Sequence, residues 1–306
     1  MRRFARFAPS GLGELQQSAN RFGPTAPVTW HTEPMTNEAH AENPTTTTAA
    51  TTVHVTVENT VATVFIDSLK TRNALSVPVM TDLIDAFTKL GERSDVHAII
   101  LKTAGHVFSS GHDLKEIRGA DLATQQHIFD LCSQLMLLIQ RIPQPVIAQV
   151  QGVATAAGCQ LVATCDLAVA ATSAKFGTPG VKIGLFCSTP QVALSRSVPR
   201  KTALRMLLTG ELLTADEALH FGLVSHVVSD EELEEATFAV AQSVAKASSA
   251  TVAVGKRGFY EQISLSTEDA YAHMSRVMAK NAVGHDAQEG IDAFLTKREP
   301  QWQNRL

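Results

Sequence analysis

Two short stretches hold the residues whose types and spacing could do chemistry. One is Phe108-Ser109-Ser110-Gly111-His112-Asp113-Leu114-Lys115-Glu116, after an apolar β-rich run; the other is Ala154-Thr155-Ala156-Ala157-Gly158-Cys159-Gln160-Leu161, after a second such run. Small residues around a glycine let a strand turn sharply into a helix, because glycine visits the left-handed backbone region without steric cost. Turns of this kind leave backbone N–H groups unpartnered, and a helix starting near Ala156 would add the positive end of its dipole at the same spot. Two preorganised N–H donors can hold a developing oxyanion without any titratable side chain. The plain alternative is a pair of tight strand-to-helix turns that bind nothing.

The side chains nearby are less committal. Asp113, at the start of a turn, reads as a cap for backbone N–H groups, and Glu116, just beyond, as solvated. His106 and His127 read as surface or helix-face residues, and Asp166 as the group that fixes a strand start. Cys187 is either a small apolar filler or, if its pKa is lowered, a reactive thiol. The four cysteines, Cys132, Cys159, Cys165 and Cys187, have neither zinc-ligand nor secreted-domain spacing, so they read as free thiols. No His/Asp/Glu group has metal-ligand spacing, and no metal is expected.

The elements that must position these loops are legible from periodicity. Val53 to Glu58 and Val61 to Ile66 alternate around Asn59-Thr60 as a hairpin. Val77 to Leu90 shows Val79, Met80, Leu83, Ile84, Phe87 and Leu90 at helical spacing, with Ser76 as N-cap and Pro78 in the first turn. Ala98 to Leu101, Pro145 to Val150 and Leu167 to Ala171 read as strands, and Leu122 to Ile142 as a long helix stopped by Pro143 and Pro145. Strands separated by helices predict an α/β fold with β/α crossovers and functional groups on the loops after strands. From Pro199 onward the pattern is helical, over Lys201 to Leu208, Ala215 to Phe221, Glu231 to Ala247 and Ser266 to Ala279. The expected organisation is an N-terminal extension over 1–52, a core over 53–198, and a helical region of the same fold over 199–306.

Composition sets the outer limits. The 306 residues are 44% hydrophobic and 18% charged with a net charge of −4, as in a globular protein with a sizeable core and not a nucleic-acid binder. No run approaches the length of a membrane span. Met1 to Phe22 carries Arg2, Arg3, Arg6 and Arg21 against a single acid, Glu14, which fits a mitochondrial transit segment; the alternatives are an unstructured tail or initiation at Met35. The mitochondrial matrix is therefore one expected location and the cytoplasm the other. Asn43 to Thr52 is Thr/Ala-rich and reads as linker.

The two loops, with Phe176-Gly177-Thr178-Pro179-Gly180, Gly184-Leu185-Phe186-Cys187-Ser188-Thr189-Pro190 and Glu289-Gly290-Ile291 through Lys297-Arg298, resemble the enoyl-CoA hydratase/isomerase family over Val53 to Trp302. Within that family they are most like its mitochondrial hydratase-domain-containing branch. The resemblance implies a crotonase (ClpP-like) fold with a C-terminal helical trimerisation region, homotrimers or paired trimers, and an acyl-CoA thioester from fatty-acid metabolism as ligand, with no further cofactor. It assigns the two oxyanion donors to the N–H of His112 and the N–H of Ala157. It lays Arg72, Ala74, Ser110, Gly111, Asp113, Leu114, Lys115 and Lys297 along the CoA, with Gly180 and Cys187 by the acyl group. The two hydratase glutamates of the family match Gln160, which can orient a water but not exchange a proton, and Gly180, which has no side chain. Ordinary hydration is therefore expected to be weak. Decarboxylation or thioester hydrolysis, or binding without catalysis, stand beside it, and restoring both glutamates is expected to raise hydration if the acids alone are missing.

Overall fold

The computed structural model describes residues 52–306, and the expected transit segment and linker lie outside them. Strand β1 (Val53–Glu58) folds back on β2 (Val61–Ile66) with Val53 opposite Ile66 and Glu58 opposite Val61, and Asn59 takes the left-handed conformation of the turn. Behind β2 the sheet is parallel: β3 (Ala98–Thr103), β5 (Val146–Val150), β7 (Leu167–Ala171) and β10 (His226–Val228) complete six strands in the order β1-β2-β3-β5-β7-β10. Its central strands are covered on both faces. Ile99 and Leu101 join the main core, while Ala98 and Ile100 meet Leu233 and Ala241 of a helix on the other side. That two-sided burial is why Ala98 to Leu101 reads as an unbroken apolar run.

A second, smaller sheet carries the loops of interest. It is built from β4 (Val107–Ser109), β6 (Val153–Thr155), β8 (Lys175–Gly177) and β9 (Leu212–Thr214), in that order. Three times the chain leaves a strand of the first sheet and enters one of the second after a short joint: β3 to β4, β5 to β6, β7 to β8. The joints stack closely enough that a Cβ on Gly152 would collide with the carbonyl of His106, which fixes glycine there. These three-residue strands are too short to show a period in sequence.

The helices are α1 (Val77–Gly91), α2 (Leu114–Ile117), α3 (Leu122–Arg141), α4 (Ala157–Thr164), α5 (Pro190–Ser197), α6 (Arg200–Thr209), α7 (Ala215–His220), α8 (Leu233–Ala245), α9 (Ser249–Gln262), α10 (Thr267–Ala282) and α11 (His285–Thr296). The Ser76 hydroxyl caps α1 at Val79 N–H, as its sequence position predicts. Glu116 departs from expectation: its carboxylate accepts the Val77 N–H at 2.9 and 3.2 Å, so it is a long-range cap for α1 rather than a solvated charge. Helices α2, α5, α9 and α11 are additional to those the periodicity predicts, and α8 begins at Leu233 instead of Glu231.

Asp166 does fix a strand start. Its carboxylate accepts the Val146 N–H at 2.7 Å, and the buried Lys256 ammonium of α9 sits 2.7 Å away. Lys256 also donates to the carbonyls of Ile139 and Gln144, both at 2.8 Å, and the Tyr260 hydroxyl donates to Asp166 at 2.9 Å. The C-terminal helices are thus clamped to the end of α3 and the beginning of β5. No helix among the described residues is long and apolar enough to cross a membrane.

Candidate active site

The parallel register of β4 and β6 sets the geometry of the site. Ser109 lies opposite Ala154, so His112 and Ala157, each three residues further on, emerge at the same end of adjacent strands. The loop after β4 is held from behind by Asn73, which is almost wholly buried. Its amide donates to the carbonyls of Ala104 and Val107 at 2.8 Å, and its own carbonyl accepts from the Ser109 hydroxyl at 2.8 Å. Leu75 N–H then bonds the Gly111 carbonyl at 2.8 Å, and Ser110 N–H the Arg72 carbonyl at 3.1 Å. Gly111 has φ +91°, and a Cβ there would lie 3.2 Å from the nitrogen of Ala157 and 2.9 Å from the Cβ of Ala156. The two loops therefore lie directly against each other.

On the other side Ala156 adopts φ 51°, ψ −118°, a region almost reserved for glycine. Its N–H bonds the Gly177 carbonyl at 2.9 Å, and α4 begins at the next residue. Gly158 completes the approach, since a Cβ there would come within 2.7 Å of the Ser109 Cβ. Among the described residues, neither the N–H of His112 nor that of Ala157 has a hydrogen-bond acceptor. Ala157 N–H is also the first donor of α4, where the helix dipole is positive.

These two groups open into a cavity of about 530 Å³, walled by Leu114 and Ile117 of α2, Gln125 and Phe129 of α3, and the 179–190 segment. Its volume lies in the ordinary range for small-molecule sites. Ser110, His112, Leu114, Ala157, Gly180 and Cys187 line it; Arg72, Ala74, Gly111, Asp113, Lys115, Gln160 and Lys297 do not. No aspartate or glutamate lines it. Gln160 is buried behind the wall, where its carbonyl faces the Cys132 thiol at 3.9 Å. Gly180 is not a gap that a larger residue could fill, because a Cβ would run into the Leu185 carbonyl and come within 2.9 Å of the Cys187 sulfur. A glutamate at Gly180 therefore fits only if the segment from Gly180 to Cys187 moves. Burial pushes the Cys187 thiol upward, the direction that disfavours a thiolate.

The His112 imidazole is the unusual group in the wall. Its Nδ1 lies 3.2 Å from the Leu75 carbonyl, which can only accept, so Nδ1 carries the proton and Nε2 is left as an acceptor. Nε2 is buried with no partner, an arrangement that costs about 1–3 kcal/mol. The ring stands edge-to-face on Phe129, centroids 5.4 Å apart. Burial lowers its pKa below 6.5, partly offset by the Leu75 bond.

Of the remaining expected ligand residues, Asp113 accepts the Lys115 N–H at 2.9 Å and starts α2, the capping role its position predicts. Arg72 and Lys115 are exposed, Ala74 is buried beside Leu75, and Lys297 is exposed at the left-handed end of α11. No cluster of metal-binding side chains occurs among the described residues. The roles of Asn73 and Phe129 escape sequence reasoning, because each acts through long-range contacts that leave no local pattern.

A family model described as enoyl-CoA hydratase/isomerase matches residues 56–305. The mitochondrial enoyl-CoA hydratase domain-containing protein 3 of Danio rerio is 49% identical over 244 residues, covering 79% of this chain and 84% of that protein. The Homo sapiens protein of the same name is 49% identical over 236 residues, covering 76% of this chain and 77% of its own length. The crystal structure of human enoyl Coenzyme A hydratase domain-containing protein 3 superposes with a TM-score of 0.80 at 45% identity, over 82% of this chain and 100% of that one. An enoyl-CoA hydratase from Mycobacterium smegmatis superposes equally well, at 0.80 and 45% identity over 82% of this chain and 98% of that one. With its parallel sheets, stacked joints and C-terminal helices, the chain has the crotonase fold and belongs to the enoyl-CoA hydratase/isomerase family.

Proposed function

We propose that this protein binds acyl-CoA thioesters in the cavity between α3 and the 179–190 segment, and that the N–H groups of His112 and Ala157 stabilise an enolate or tetrahedral oxyanion on the thioester carbonyl. The observation that carries the reading is two acceptorless N–H donors at the ends of adjacent strands, in a cavity without a carboxylate. Each such donor is worth on the order of 10²- to 10³-fold in rate. Positioned acid and base groups contribute roughly 10²- to 10⁴-fold each, so their loss leaves ordinary hydration weak. Decarboxylation and thioester hydrolysis draw chiefly on the oxyanion donors and are the reactions this site favours. The CoA moiety runs past Arg72, Ser110, Gly111, Asp113, Leu114 and Lys115, with Lys297 toward its phosphates. Gly180 and Cys187 bound the acyl group.

Exposed Phe259, Tyr271, Met278, Val283, Phe294 and Leu295 on α9 to α11 favour subunit packing, in a homotrimer or hexamer. The relatives named as mitochondrial, together with the arginine-rich start, support residence in the matrix. The absence of a carboxylate from the cavity also favours a second reading, a non-catalytic acyl-CoA-binding protein.

The test exposes the full chain to enoyl-, malonyl-type and saturated acyl-CoA thioesters in D₂O, with every species followed by mass spectrometry. Loss of carbon dioxide, release of CoA or deuterium uptake is expected, and Ala157→Pro, which deletes the second donor, abolishes it. Full turnover by a folded Ala157→Pro variant would refute the oxyanion assignment. Thioesters that bind unchanged would move the second reading to first place.

A further inference from the structure

The lone imidazole in a carboxylate-free wall is the feature that the oxyanion reading leaves unused. We propose that the His112 side chain is the general base of this site, taking through Nε2 the proton of a water that attacks the thioester carbonyl of a saturated acyl-CoA. The inference rests on the acyl-CoA reading above and deepens it. One residue then plays two parts, its N–H holding the oxyanion and its ring handling the proton.

Three observations converge on Nε2. The Leu75 carbonyl fixes the tautomer and leaves Nε2 as a lone-pair acceptor. That acceptor is buried without a donor, although the residue lines the cavity. No carboxylate or second imidazole lines the wall, burial pushes the Cys187 thiol upward, and Lys182 is exposed. In this proposal water reaches Nε2 by rotation of the Phe129 ring, which stands edge-to-face 5.4 Å from the imidazole, while His112 keeps its bond to the Leu75 carbonyl.

The balance is straightforward. Water oxygen bonds the acyl carbon while its proton passes to Nε2. The carbonyl electrons move onto the oxygen held by His112 N–H and Ala157 N–H. The intermediate then collapses, the C–S bond breaks, and the imidazolium returns its proton to the departing sulfur. Free acid and CoA leave, and the imidazole is neutral again.

The charged surroundings do not compete for the ring. The Asp113 carboxylate is engaged by Lys115 N–H and that of Glu116 by Val77 N–H. Helix α3 turns uncharged Gln125 and Phe129 toward the cavity, while His127 and Asp130 are exposed, and the 179–190 segment brings only Lys182 and Cys187. Burial therefore dominates, and the ring stays neutral and basic to a lower pH than a free histidine, with a pKa below 6.5.

The experiment measures octanoyl-CoA binding and hydrolysis by the full chain, as wild type, His112→Ala and His112→Asn, from pH 5 to 8. Both variants keep the backbone N–H. Wild-type kcat is expected to rise with pH to a plateau with its midpoint below 6.5. Both variants should lose roughly 10²- to 10⁴-fold in kcat with KM little changed and no acid limb. Added imidazole should restore part of the loss in His112→Ala, which a purely structural role would not allow. Equal kcat in folded variants, or a wild-type profile without the acid limb, overturns the proposal. Octanoyl-CoA that binds to the wild type but is never hydrolysed overturns it too, while the binding reading stands; failure to bind any thioester would instead remove the reading on which it rests.

Discussion

Ala156→Gly should stabilise this protein, against the usual direction for glycine. At φ 51°, ψ −118° the alanine Cβ is held in a region that costs on the order of 1–3 kcal/mol for a residue with a side chain. Glycine removes that cost but gains unfolded-state freedom worth about 0.4–1 kcal/mol. At the central values of about 2 and about 0.7 kcal/mol the balance is a gain of about 1.3 kcal/mol, or roughly 3–5 °C in Tm at about 2–4 °C per kcal/mol for a domain of this size. Ala157→Gly, one residue later and inside α4, is the control of opposite sign and should cost about 0.5–1 kcal/mol. Thermal and urea unfolding followed by circular dichroism, with the urea slope compared to exclude a change in the unfolded state, measures both. An Ala156→Gly variant no more stable than wild type, at unchanged slope, would refute the claim that the second oxyanion loop is under strain.

Other substitutions test the packing around the site. Lys256→Met leaves the Asp166 carboxylate without its cation beside the start of β5 and should cost about 3–5 kcal/mol in urea unfolding; the double variant Lys256→Met/Asp166→Asn should recover part of it. Gly180→Glu should destabilise by about 1–3 kcal/mol or more by driving a Cβ into the Leu185 carbonyl. Combined with Gln160→Glu it should bring no gain in crotonyl-CoA hydration; a gain would show that the segment from Gly180 to Cys187 yields more easily than its contacts imply.

What the sequence reveals and what it hides divide along the range of the interactions. The two facing loops at 109–112 and 155–158 are legible because their requirement is local: Gly111 and Gly158 stand where any Cβ would strike the neighbouring loop, and Ser76 and Asp113 cap within their own turns. The long strands and helices α1, α3, α6, α7, α8 and α10 show their periods. Strands β4, β6 and β8 do not, since three residues carry no period, and their register follows from stacking on the first sheet. Glu116 and Asn73 act on backbone groups more than thirty residues away, so their roles follow from the fold alone. Helix α9 escapes notice because two helix-weakening glycines, Gly255 and Gly258, break its sequence, the latter where Met274 of α10 packs close.

The Lys256 clamp ties the site to the order in which the chain is made. Its ammonium bonds the Gln144 carbonyl 112 residues upstream, a stretch that takes a ribosome roughly 6–22 s at 5–20 residues per second. Until α9 emerges, the carbonyls that close α3 and the Asp166 carboxylate that opens β5 have no cation. The other end of the same helix supplies Gln125 and Phe129 to the cavity, so the clamp and the wall facing His112 share one rigid element. A chain released early would carry both facing loops and still lack the Lys256 fastening at the far end of α3.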